Sequence, residues 1–173
     1  TGTQDIILNN CIQCIKNCAK VSNDEQSLIL RSEIEQIASV SVRALWTGDM
    51  TRAIECNKTA VRAVRDKYNR MYRTMIDSQD RSRCTESLIS LLSHKLQVID
   101  RVLSSSEEDA FVWLKQIRLE HNLQEKKLSV HVDNECLPYR CDILDSNACC
   151  LVVTPLTERV LLSLAFASRR LSQ

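Results

Sequence analysis

Two glycines and two prolines in 173 residues leave this chain little with which to turn. Glycine supplies the positive-φ positions of tight turns, and proline presets others. A chain this poor in both favours long helices over a barrel or sandwich of short strands. The scarcity also has a chemical consequence. Gly2 and Gly48 are the only glycines, so no phosphate-cradling loop and no dinucleotide fingerprint can be built within these residues.

Apolar periodicity places the helices. Residues 4–21 read as the first, with Ile7, Cys11, Cys14, Ile15 and Cys18 on one face. Ser22, Asn23 and Asp24 break it and cap a second helix over 24–46, whose buried side carries Leu30, Ile34, Ile37, Ser41, Ala44 and Leu45. Trp46 closes that helix, and Thr47–Gly48–Asp49 reads as a turn. Then Met50, Ile54, Asn57, Val61, Val64, Tyr68, Met71 and Met75 alternate steps of four and three, the seam of one long straight helix over 49–78. A fourth helix, 84–103, buries Leu88, Leu92, Leu96, Ile99 and Leu103. Ser106 with Glu107, Glu108 and Asp109 is the expected start of a fifth, 107–121, with Phe111, Leu114, Ile117 and Arg118 on one side.

At Leu123 the pattern changes. Residues 128–132 alternate as a half-buried strand does, Leu137–Pro138–Tyr139 reads as a turn, and Cys141 and Ile143 continue a short strand. Asp145–Ser146–Asn147 turns again before an apolar strand over 149–153. Thr154 is the expected N-cap of a last helix with Pro155 at its first position, where a missing N–H costs nothing. Leu156, Val160, Leu161, Leu164 and Phe166 make that helix apolar. The predicted fold is mainly α: a bundle of about five helices over 1–122, then a small β section and one more helix over 123–173.

Charge and cysteine usage narrow the function classes. With 23 basic and 22 acidic side chains, nothing points globally to nucleic acid or membrane. No stretch approaches the roughly 18 apolar residues of a membrane span. The opening TGTQDIILNN lacks the features of a secretory signal and begins without Met, so an excised piece of a longer polypeptide is expected. Arg62, Arg65, Arg70 and Arg73 lie along one helix without interleaved aromatics, as on a solvated face.

Cys11, Cys14 and Cys18 share a helix face, and no second ligand pair follows at zinc spacing. The nine cysteines therefore read as core or half-buried free thiols, with no metal, in a reducing intracellular compartment. His94, His121 and His131 have no Ser or Cys partner readable from spacing, although Cys–His pairs meet in space rather than in sequence. Glu107–Asp109 reads as capping rather than as a catalytic pair.

Four stretches carry a resemblance: ALWTGDMTRAI (44–54), FVWLKQIR (111–118), LPYRCDIL (137–144) and LVVTPLTER (151–159). In this order and spacing they resemble dynein heavy chain, from the end of its linker into its first AAA+ module, over about residues 30–170. The match is that of a divergent member, with Arg140 and Asp145 where the family carries glycines around the tyrosine strand.

The resemblance implies part of an ATP-driven microtubule motor. Residues 1–122 would belong to the mechanical linker and 123–173 to the nucleotide-facing edge of the main ATPase module. It implies that Leu151, Val152, Val153, Thr154, Pro155, Leu156 and Thr157 lie beside the adenine, with strand-edge groups offered to the base and apolar side chains as walls. Without the resemblance, the same residues read as a strand and cap packing under a helix. ATP and Mg would belong to the intact parent, with neither held tightly by this piece and no catalytic residue in it. Implied partners are the rest of the motor ring, dynein accessory chains and, through distant regions, the microtubule; nucleic acid and membrane are not among them. The implied location is the cytoplasm and cytoskeleton, including a ciliary or flagellar axoneme. The competing expectation is a non-enzymatic interaction module whose 49–78 seam docks a partner. A G-x-x-x-x-G-K-[ST] loop encoded within about 10–15 residues after Gln173 would separate the two.

Overall fold

The computed structural model describes residues 2–105, 111–139 and 154–171. Five helices come first: α1 (Gly2–Cys18), α2 (Asn23–Ser32), α3 (Glu35–Cys56), α4 (Lys58–Asp77) and α5 (Arg83–Ser104). A single turn, α6 (Phe111–Leu114), leads into the strands β1 (Arg118–Asn122), β2 (Lys127–Val132) and β3 (Glu135–Pro138). The last element is α7 (Pro155–Leu171). A mainly helical body followed by a small β section and a helix is the expected architecture.

The core follows the apolar faces. Cys11, Cys14, Ile15 and Cys18 of α1 are buried against α3, together with Leu30, Ile37, Trp46, Met50, Tyr68, Met75, Leu88, Leu92 and Ile99 from the other helices. These cysteines pack as small hydrophobes. The Cys14 sulfur and burial together push the Cys18 thiol up, so it stays protonated in the core.

Capping at Ser22 is as expected. Its hydroxyl accepts from the Glu25 N–H, and the Glu25 carboxylate accepts from the Ser22 N–H at 3.1 Å, a reciprocal box that satisfies two helix-end donors.

The helix boundaries differ from expectation in four places. The predicted 24–46 helix breaks at Glu33 and Ile34, both extended, and Ile34 stands 64% exposed instead of buried. Two extended residues redirect the chain, so that α2 packs on α4 while α3 packs on α1. The predicted turn at Thr47–Gly48–Asp49 is helical. Trp46, Thr47, Met50 and Ala53 continue the buried face of α3, and that burial outweighs the roughly 1 kcal/mol by which Gly disfavours a helix interior.

The long 49–78 helix is two helices. Asn57 is extended, and its Oδ1 accepts from the Ala60 N–H at 2.9 Å, capping α4. Asn is a poor interior residue and a good cap, so the seam folds back on itself there. α3 and α4 become an antiparallel hairpin, with Val61, Tyr68, Met71 and Met75 buried inside the body.

Among the described residues of the predicted 107–121 helix, only the turn α6 is helical. Residues 118–122 pair with β2 from Arg118↔His131 to Asn122↔Lys127, and tertiary pairing overrides a sequence of modest strand propensity. The β1–β2 turn is held by Asn122 Oδ1, which accepts from the Gln124 and Glu125 N–H groups at 3.0 and 3.1 Å. β3 completes an antiparallel sheet in the order β1-β2-β3, so Leu137 and Pro138 end an edge strand where a turn was expected. Proline is tolerated there because an edge position leaves its missing donor unneeded. The expected cap at Ser106 with residues 107–109, the strand through Cys141 and Ile143, the turn at 145–147 and the strand at 149–153 lie outside the described residues.

Candidate functional site

Two of the four singled-out stretches meet. Trp46 from α3 and Trp113 from α6 pack with ring centroids 5.3 Å apart and planes tilted by 55°. Both are buried, and such tilted pairs add to simple area burial. The Lys95 ammonium of α5 sits 4.0 Å over the Trp46 ring, and the Arg118 guanidinium lies 5.8 Å from the Trp113 centroid. Cation and ring attract more strongly where water is excluded.

Backbone contacts lock the same region. Thr47 Oγ1 accepts from the buried Leu119 N–H at 3.1 Å, tying the middle of α3 to β1. Arg118 Nη2 donates to the Asp133 carbonyl at 2.8 Å, and the Asp133 N–H donates to the Leu114 carbonyl at 2.8 Å. Asp133 has a φ of 53°, in the left-handed region that Asp enters more readily than most residues. The β2–β3 turn is thereby pinned under α6.

Asp49, one residue past Gly48, is a second anchor. Its carboxylate accepts from Arg52 at 2.6 Å, from Lys67 at 2.7 Å and from the Tyr68 hydroxyl at 3.1 Å. Burial, then the Asp49 charge, pushes the Tyr68 phenol far up, so it stays a donor. His121 of β1 packs against the same part of α3. A methyl group built on Gly48 would lie 3.6 Å from its Cε1. Burial, reinforced by the Arg52 guanidinium, holds the His121 imidazole below its ordinary value and favours the neutral ring.

This arrangement is a joint, not a cleft. Its groups join the helical hairpin to the sheet through ring contacts and hydrogen bonds. Among the described residues, no group of three or more His, Cys, Asp or Glu side chains could hold a metal ion.

The candidate adenine segment gives a different geometry. Leu151, Val152 and Val153 lie outside the described residues. Thr154 and Pro155 start α7 as the sequence predicts: Thr154 Oγ1 accepts from the Thr157 N–H at 3.3 Å, and Thr157 Oγ1 accepts from the Thr154 N–H at 2.6 Å. The two threonines form a reciprocal cap like that of Ser22 and Glu25. Leu156 is 70% exposed, and Val160, Leu164 and Phe166 also face solvent.

The chain is similar in part to a known protein. Over 145 residues it is 25% identical to dynein axonemal heavy chain 5 of Rattus norvegicus. The match covers 76% of this chain but only 4% of that protein. No protein-family model matches the chain. The similarity to a dynein heavy chain is therefore weak and partial.

The joint gives two of the four singled-out stretches a structural role, half of which is legible in the sequence. The sequence places Trp46 at a helix end and Trp113 within the 111–118 stretch, and it does not pair them because each lies on a differently placed element. Asp49 and His121 were missed as partners of that joint. A carboxylate at Asp49 facing Lys67 and Tyr68 becomes readable only once α3 and α4 are a hairpin folded at Asn57.

Proposed function

We propose that this chain is a mechanical segment of a dynein-type motor, with its helical body acting as part of a lever and the segment from Leu151 to Thr157 lying beside a nucleotide's adenine. The observation that carries this reading is the joint itself: residues from 44–54 and 111–118, two stretches that resemble the dynein linker, form with the strand that follows them one packed and hydrogen-bonded coupling. A lever must transmit displacement without bending, and helices crossing a filled aromatic joint resist bending. The competing interaction-module reading loses support, because the seam residues Val61, Tyr68, Met71 and Met75 are buried within the body. Exposed Leu156, Val160 and Leu164 are, on this proposal, the face that the rest of an AAA+ module covers.

ATP, Mg and the microtubule belong to the intact polypeptide in this reading, as do the motor ring and its accessory chains. An axoneme or another cytoskeletal array is the proposed location. The test uses the full-length polypeptide that the gene encodes. Thr47→Val together with Trp113→Ala should slow microtubule gliding several-fold while ATP hydrolysis without microtubules persists, because coupling is lost and chemistry is not. Photolabelling with 8-azido-ATP should mark the tryptic peptide that ends at Arg159. Unchanged gliding would sink the lever reading, and labelling confined to other peptides would sink the adenine assignment.

A further inference from the structure

The outward face of the small sheet gathers chemistry that the joint does not use. Alternation along β2 turns Leu128 and Val132 inward and leaves Ser129 and His131 on the other face. The register places His131 opposite Arg118 on β1 and opposite Cys136 on β3, with Glu120 opposite Ser129. Three side chains converge on one ring nitrogen. Ser129 Oγ lies 3.0 Å from His131 Nε2, Glu120 Oε2 lies 3.4 Å from it, and Cys136 Sγ lies 3.5 Å from it. Cys136 is a free, exposed thiol.

We infer that Cys136 is a site of reversible thiolation by low-molecular-weight disulfides such as oxidised glutathione, with His131 as its proton acceptor. A thiolate, not a thiol, attacks a disulfide, and a thiol in contact with an imidazole can pass its proton to it. The resulting imidazolium has Glu120 and Ser129 placed at 3.4 and 3.0 Å to accept its N–H.

The step balances. The Cys136 sulfur bonds to one glutathione sulfur, the glutathione S–S bond breaks, and the leaving thiolate takes the proton from His131. Cys136 is oxidised to a mixed disulfide and one glutathione is reduced. An edge strand leaves the sulfur open to a reagent, and the sheet holds base and nucleophile in register.

The same chain contains its own control. Cys56, also free and exposed, ends α3. No imidazole touches it among the described residues. Trypsin separates the two thiols, since residues 128–140 contain only Cys136 and residues 53–58 only Cys56.

The experiment incubates the native chain with oxidised glutathione at pH 6.5–7 and follows both peptides by mass spectrometry. Cys136 should gain glutathione roughly tenfold faster than Cys56, since His131 is in contact to take its proton as the sulfur attacks. His131→Gln should remove most of that advantage while Cys56 keeps its rate, which also reports that the fold is intact. Equal rates at the two thiols in the native chain would overturn the assignment without any variant. So would an advantage at Cys136 that survives His131→Gln.

Discussion

The tryptophan joint and the start of α7 are both built from stretches that resemble dynein, yet they bury their apolar groups to opposite extents. At the joint, Trp46 is fully buried and Trp113 nearly so, and the neighbouring Thr47 hydroxyl spends its acceptor on a buried backbone N–H. At α7, a comparable threonine cap is exposed, and Leu156, Val160 and Leu164 face solvent along one stripe. Helix formation and burial are therefore separate properties here. Local capping suffices to start α7, whereas the joint depends on residues about 70 positions apart being brought together. The first kind of structure is written locally; the second is written in packing.

The largest expected effect tests that difference directly. Trp46→Ala should cost about 3–5 kcal/mol, since a buried aromatic leaves a cavity when truncated. Leu164→Ala on α7 should shift the same unfolding midpoint within about 0.5 kcal/mol, as surface changes do. Both are read by denaturant unfolding of the 173-residue chain. Similar losses would mean that the α7 stripe is buried in solution, and the comparison would fail.

The same contrast explains which features were legible in the sequence. The helical body, its buried cysteine face, the Ser22 cap and the Thr154–Pro155 helix start all follow from local rules that act within four residues. The errors fall where distant contacts decide. Asn57 fitted the spacing of a seam, but its side chain stabilises a helix start better than a helix interior, so one long helix became a hairpin. Residues 118–121 continue a helix pattern set by Phe111, Leu114, Ile117 and Arg118, but β2 offers a full ladder of partners, and pairing wins. Gly48 was read as a turn because glycine often marks one. The flanking burial of Trp46, Met50 and Ala53 keeps it helical.

A smaller effect separates the two threonines. Thr47→Val keeps shape but strands the buried Leu119 N–H, an expected loss of about 1–3 kcal/mol in global stability. Thr154→Ala should cost no more than about 1 kcal/mol, confined to α7. Hydrogen exchange reads both. The first variant should accelerate exchange at Leu119 and across β1, and the second only at the first amides of α7. A global loss from Thr154→Ala would tie α7 to the core.

Acid tests the joint through His121. Its folded value lies below the ordinary one near 6.5, so the unfolded chain takes up the proton first. The contribution is therefore fully present above about pH 6.5 and is lost as pH falls through the lowered folded value. Denaturant midpoints measured from pH 7.5 to 5 should decline on the acid side, and His121→Gln should flatten that decline. An unchanged slope in the variant would assign the acid sensitivity elsewhere.

The smallest effect asks how tightly the joint is filled. Gly48 lies inside α3 with no positive φ, so its backbone freedom is a cost without a conformational use. An added methyl would meet His121 Cε1 at 3.6 Å, which is ordinary van der Waals contact rather than overlap. Gly48→Ala should therefore stabilise the chain by about 0.5–1 kcal/mol through helix propensity alone. His121 need not move, so its acid response should persist in the variant. If Gly48→Ala destabilises instead, β1 approaches α3 more closely in solution, and glycine is there to let the sheet seat against the helix. That outcome would recast the glycine from a tolerated weakness into the residue that sets the spacing of helix and sheet.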